Sequence, residues 1–158
     1  MPARPFRILA TVAAVAGAAT MLTSCDKPVP NVTFQTGSTS IVVKPQAYCF
    51  DANPADCRIT TSGAISTLDA KSGGTILVDV PRDVAGQHWS VNAATQSGNT
   101  FTPLDVTGAS VPALSGTHSA RVVVPYSTGL YYLIVAATSP GSGSKQTASW
   151  VTRVNVSN

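Results

Sequence analysis

From Asn31 onward, apolar residues recur at every second position in short runs that end at turn-forming residues, the signature of strands with one buried face. Asn31 to Lys44 reads as a hairpin. Val32 and Phe34 alternate with polar residues, Gly37-Ser38 supplies the turn, and Ile41-Val42-Val43 returns. Arg58 to Thr61 and Ser66 to Ala70 are short strands, and Ser72-Gly73-Gly74 is a turn. Thr75 to Val80 puts Ile76, Val78 and Val80 on one face before Pro81 stops the run, and Pro81 to Gln87 reads as a loop. Trp89, Val91 and Ala93 then oppose His88, Ser90 and Asn92. Gln96 to Asn99 turns the chain into Thr100 to Val106, residues 107–117 are loop or a ragged edge strand, and Ala120, Val122 and Val124 mark another strand. Leu130 to Thr138 is apolar on both faces, which predicts a central strand. Ser139 to Lys145 is a Gly/Ser-rich loop, and Trp150, Val154 and Val156 complete the last strand.

Strands at this spacing, with almost no helical period, predict an all-β sandwich. Ser127-Thr128-Gly129-Leu130-Tyr131-Tyr132-Leu133 resembles the Asp-x-Gly-x-Tyr-x-Cys approach to strand F of immunoglobulin-like domains. On that resemblance Tyr131 is the corner tyrosine, Leu133 replaces the inter-sheet cysteine, and Trp89 matches the buried tryptophan of strand C. Ser127 departs from the usual Asp, and no inter-sheet disulfide is available. The expected fold is an immunoglobulin-like antiparallel β-sandwich over residues 64–158. An N-terminal hairpin and a cysteine-bounded loop in residues 31–63 precede it, all within one domain from 31 to 158.

In that register Tyr131, Leu133 and Val135 face the core, which turns Leu130, Tyr132, Ile134 and Ala136 outward beside Val151 and Arg153. An apolar outer face needs a cover. Either the chain's own residues 31–61 lie over it, or it receives a partner protein or a second copy. The Pro81–Gln87 and Ser139–Gln146 loops are expected at one end of the sandwich, where recognition loops commonly sit.

The first 24 residues follow a different pattern. Arg4 and Arg7 precede an uncharged apolar run from Ile8 to Leu22, the layout of a secretory signal and too short to span a bilayer comfortably. Leu22-Thr23-Ser24-Cys25 resembles the lipobox of bacterial lipoproteins. The resemblance implies cleavage after residue 24, a diacylglyceryl group on the Cys25 thiol, and anchoring on the outer face of the plasma membrane. Residues 25–30 are then the lipidated cysteine and a tether. The five residues Asp26 to Pro30 reach about 16 Å when extended.

Composition changes the picture in two respects. The formal charge of +3 includes Arg4 and Arg7, so the chain from Cys25 onward carries only +1 and shows no basic footprint for nucleic acid. There is no Glu anywhere, and both Met lie in the leader. Of the three cysteines, Cys49 and Cys57 enclose a polar stretch broken by Asn53-Pro54. Outside the cytoplasm such a pair is read as a disulfide, and closing so short a loop stabilises by about 2–3 kcal/mol. A metal site is the alternative, and it would have to recruit His88 and His118. Tyr48 and Phe50 bracket Cys49, either anchoring that loop to the core or offering an aromatic tip to a ligand.

The lipobox, Pro45-x-x-Tyr48-Cys49 with Cys57, Gly74 to Pro81 and Trp89 together resemble a group of small actinobacterial lipoproteins. That family has no assigned activity, so the resemblance implies a location and no catalytic residue.

Catalytic patterns are sparse. Ser142-Gly143-Ser144-Lys145 satisfies Ser-x-x-Lys and Lys71-Ser72-Gly73 mimics a Lys-Thr-Gly partner, but the serine sits in a hairpin loop and the two motifs run in reverse order. No Gly-x-Ser-x-Gly elbow occurs, and the absence of Met after the leader argues against a blue-copper site. The expectation is a non-enzymatic binding or accessory module of the cell envelope without a cofactor. A small hydrolase with an atypical serine, or a spacer domain, are the alternatives.

Overall fold

A computed structural model describes residues 27–50, 53–60, 63–104, 111–124, 127–139 and 145–158. The leader, Cys25, and the serines of the Ser-x-x-Lys pattern lie outside these residues. Among the described residues twelve strands occur: β1 (Val32–Thr36), β2 (Thr39–Val43), β3 (Ala47–Cys49), β4 (Cys57–Ile59), β5 (Thr67–Lys71), β6 (Thr75–Asp79), β7 (His88–Ser97), β8 (Thr100–Pro103), β9 (Val111–Leu114), β10 (Ser119–Val123), β11 (Gly129–Thr138) and β12 (Gln146–Ser157). A four-residue helix, α1 (Arg82–Ala85), interrupts them.

Two sheets face each other. The first runs β10-β6-β1-β2 and the second runs β4-β3-β12-β11-β7-β8. All pairs are antiparallel except β5, which lies parallel on the lower half of β12 from Arg153↔Thr67 to Ser157↔Lys71. β9 shares the edge of β7 with β8. Taking β6, β7, β10, β11 and β12 as strands B, C, E, F and G, the order follows the immunoglobulin plan, with β1 beside B. The all-β sandwich expected from the alternating pattern is therefore the fold.

Alternation explains the core. Val32 and Phe34 of β1, Ile76 and Val78 of β6, and Val122 of β10 point inward from the first sheet, and all are almost fully buried. They meet Trp89 and Val91 of β7, Leu133 and Val135 of β11, and Trp150 and Val154 of β12. Burying each such side chain contributes about 1.5–3 kcal/mol. β11 pairs with β7 on one side and β12 on the other, so it lies inside its sheet, as its apolar sequence predicts.

The topology builds the N-terminal hairpin into the first sheet and corrects one expectation, that for Pro81–Gln87. β1 pairs with β6 through Phe34↔Val78, because Val32 and Phe34 need the same core that β6 faces. β3 and β4 likewise extend the second sheet from β12. The Pro81–Gln87 segment is not all loop: Pro81 starts a single helical turn that buries Val84 and Ala85.

The corner tyrosine forms as expected. Gly129, at φ 143°, turns the chain into β11, a backbone conformation that L side chains rarely adopt. The Tyr131 hydroxyl then donates to the Ser127 carbonyl at 3.0 Å and also meets the Ser127 hydroxyl. Ser127 thus receives the phenol although it replaces the usual Asp. Tyr131→Phe is expected to lower the unfolding free energy by about 1 kcal/mol without altering the far-ultraviolet spectrum. A denaturant midpoint equal to that of the wild type would show that the bond contributes nothing.

Candidate functional site

Strand direction decides what shares an end. β6 runs upward into α1, β7 starts downward at His88 opposite Thr138, and β12 starts at Gln146 beside Thr138. The Pro81–Gln87 connection and the two strand ends that flank residues 140–144 therefore lie at one end, as the sequence predicts. The β9–β10 connection joins them, since Ser119 lies opposite Asp79 and Leu114 opposite Trp89.

Hydrogen bonds clamp these connections together. The Gly116 amide donates to the Ala85 carbonyl at 2.8 Å, and Val80 donates to His118 at 2.8 Å. The Trp89 indole donates to the Thr117 carbonyl at 2.9 Å. The Thr147 hydroxyl, itself buried, donates to Gln87 Oε1 at 3.0 Å. A buried indole N–H requires an acceptor, so Trp89 fixes the 115–118 connection to the core.

The tether enters at this same end. β1 is antiparallel to β6, so Val32 lies at the α1 end, and the Trp150 indole donates to the Pro30 carbonyl at 3.0 Å. The cysteine-bounded turn is there too, because Tyr48 pairs with Ala148 two residues into β12. Cys49 and Cys57 are cross-strand neighbours in β3 and β4, joined by a disulfide. The Asn53 side chain caps the 3-10 turn Pro54–Asp56 between them by accepting from the Ala55 amide at 3.0 Å.

Tyr48 and Phe50 anchor this turn and do not form an exposed tip. Both are 5% exposed, stacked edge-on at 5.1 Å, and Tyr48 also meets the Trp150 ring at 6.2 Å. Arg58 and Lys27 lie over the Phe50 ring at 5.3 and 5.8 Å. His88 and His118 are exposed at the α1 end, and among the described residues no group of three or more His, Cys, Asp or Glu is gathered for a metal.

The outer face of the second sheet is covered piecemeal by the chain. Tyr132, 7% exposed, stacks edge-on against Phe101 of β8 at 5.1 Å. Val151, 9% exposed, borders a depression walled by Val42 to Gln46, Thr60 and Gly63 to Ser66. The described residues of 31–61 flank this face at one side and do not lie over it as extra strands, because Val32, Phe34, Tyr48 and Phe50 are committed to the core. Ile134 is half-buried, and Leu130 and Phe101 remain 48% and 36% exposed. Arg153 donates to the Ile65 carbonyl at 3.4 Å, while its Nε is buried with no acceptor. Sequence reasoning missed Phe101, whose alternation within β8 gives no sign that it crosses to Tyr132.

No protein-family model, curated protein or solved structure matches this chain.

Replacing both Cys49 and Cys57 by Ala is expected to cost about 2–3 kcal/mol of unfolding free energy, from the short loop that the bond closes. Chemical denaturation of the oxidised and variant proteins measures it. The β1–β2 hairpin should keep its slow hydrogen exchange, since its partner is β6.

Proposed function

We propose that this chain is a bacterial lipoprotein, held by a diacylglyceryl group on Cys25 at the outer face of the plasma membrane. It acts there as a non-enzymatic binding or accessory module of the cell envelope. The Leu22-Thr23-Ser24-Cys25 pattern and the short stretch before the sandwich support the anchor. The likeness to small actinobacterial lipoproteins points the same way.

One observation carries the binding role. Leu130 and Phe101 are both exposed on the outer face of the second sheet, Phe101 stacked on Tyr132, near the end remote from the tether. Leu130 lies one residue into β11 and Thr138 at its end, about 26 Å apart at 3.3 Å per residue. An envelope protein approaching from outside meets these side chains first.

Two measurements test the proposal. Labelled palmitate should enter the wild-type chain and not Cys25→Ala, and labelling of both or neither would remove the anchor. Crosslinking in intact membranes should capture an envelope protein, and the double variant Phe101→Asp/Leu130→Asp should lose it while folding normally. Retention of the crosslinked species in that variant would place the partner elsewhere.

A further inference from the structure

We infer that the corner where the tether enters is a membrane-docking surface, with Val42 and Ile59 set into the headgroup layer of the bilayer that holds Cys25. The inference rests on the lipidation proposed above. Val42 and Ile59 are 61% and 68% exposed, more than any other large hydrophobic residue described. Val42 lies on β2, the edge of the first sheet, and Ile59 on β4, the edge of the second. The tether enters between these two edges. Val29 shares a depression of about 370 Å³ with Lys44, Arg58 and Thr60. Lys44 and Thr60 also line the adjoining depression that Val42 borders.

The length of the leash commits the occupant. Lys27 already rests on the Phe50 ring, so only the span from Cys25 to Lys27 is left to reach the membrane. Fully extended, that span is about 7 Å. The interfacial layer on each side of the hydrocarbon is itself about 6 Å deep. A domain held so closely contacts that layer at its tether corner, and two exposed apolar side chains there gain by entering it. Lys27, Lys44 and Arg58 accompany them with stems that can lie along the interface, while Asp56 is the exposed acid of the nearby turn. Three cations against one acid add an attraction to anionic lipid that salt screens, whereas the contribution of the apolar pair persists in high salt.

The lipidated full chain, reconstituted into phosphatidylcholine–phosphatidylglycerol vesicles, gives the test. Val42→Cys and Leu130→Cys forms are each labelled with an environment-sensitive fluorophore, the native disulfide staying closed. Headgroup-proximal nitroxide lipids should quench the label at position 42 several-fold more than that at 130, in low and high salt alike. Adding Ile59→Ser to the Val42→Cys form should weaken that quenching without moving the thermal midpoint, the anchor alone still keeping the corner near the bilayer, and unchanged quenching would remove Ile59 from the surface. Equal quenching at the two sites on floated, palmitate-bearing protein would overturn the docking surface while leaving the anchor intact. A protein that takes up no palmitate and does not float would overturn the anchor, and this surface with it.

Discussion

Two buried indoles need acceptors, and that need ties the core of this protein to its connections. Trp89 and Trp150 are both almost fully buried, on neighbouring sides of β11. Neither indole N–H bonds within its own sheet: one donates to the Thr117 carbonyl and the other to the Pro30 carbonyl. An unmet donor at such depth costs about 1–3 kcal/mol, so each tryptophan selects a backbone carbonyl from an incoming segment. The first holds the β9–β10 connection against α1, and the second holds the chain where it enters the domain. Tyr48 packs against Trp150 in turn, which seats the disulfide hairpin beside the tether.

The local elements were legible because their causes are local. Alternation in Thr75 to Val80 and around Trp89 depends only on which side chains need burial, and β6 and β7 follow it. The β1–β2 turn at Gly37 was legible for the same reason, since φ 55° there suits glycine. The Tyr131 corner could be read because its partner is four residues away. What escaped was pairing at long range. Nothing near Phe34 says that it lies opposite Val78, and nothing near Leu68 says that β5 runs parallel to β12. α1 was hidden by its length, because four residues carry no helical period.

The candidate surface was legible to the same degree and for the same reasons. Outward-facing residues on β11 and β12 follow from alternation, so Leu130, Tyr132, Ile134, Val151 and Arg153 do share the outer side of the second sheet. Alternation says nothing about cover. Tyr132 and Val151 are buried by Phe101 and by the residues around Gly63 to Ser66, leaving Leu130 and Phe101 as the exposed remainder. Tyr48 and Phe50 show the converse: their place beside a cysteine allowed either role, and stacking on Trp150 decided for the core.

The entry point of the chain also alters how the loop end is to be understood. In an immunoglobulin-like sandwich the loops after strands B and F are natural recognition elements when the opposite end is tethered. Here the chain enters beside Val32, at the end where α1 and the β11–β12 connection lie. With the anchor proposed at Cys25, those loops would turn towards the lipid and the turns at Gly37, Gly73 and Gly98 would face the exterior. On that proposal the hydrogen bonds that clamp the loop end would hold a rigid base against the membrane, and Leu130 and Phe101 would be left open on the far side. On this geometry the immunoglobulin plan is used upside down, and what faces outward is a strand surface together with the far turns.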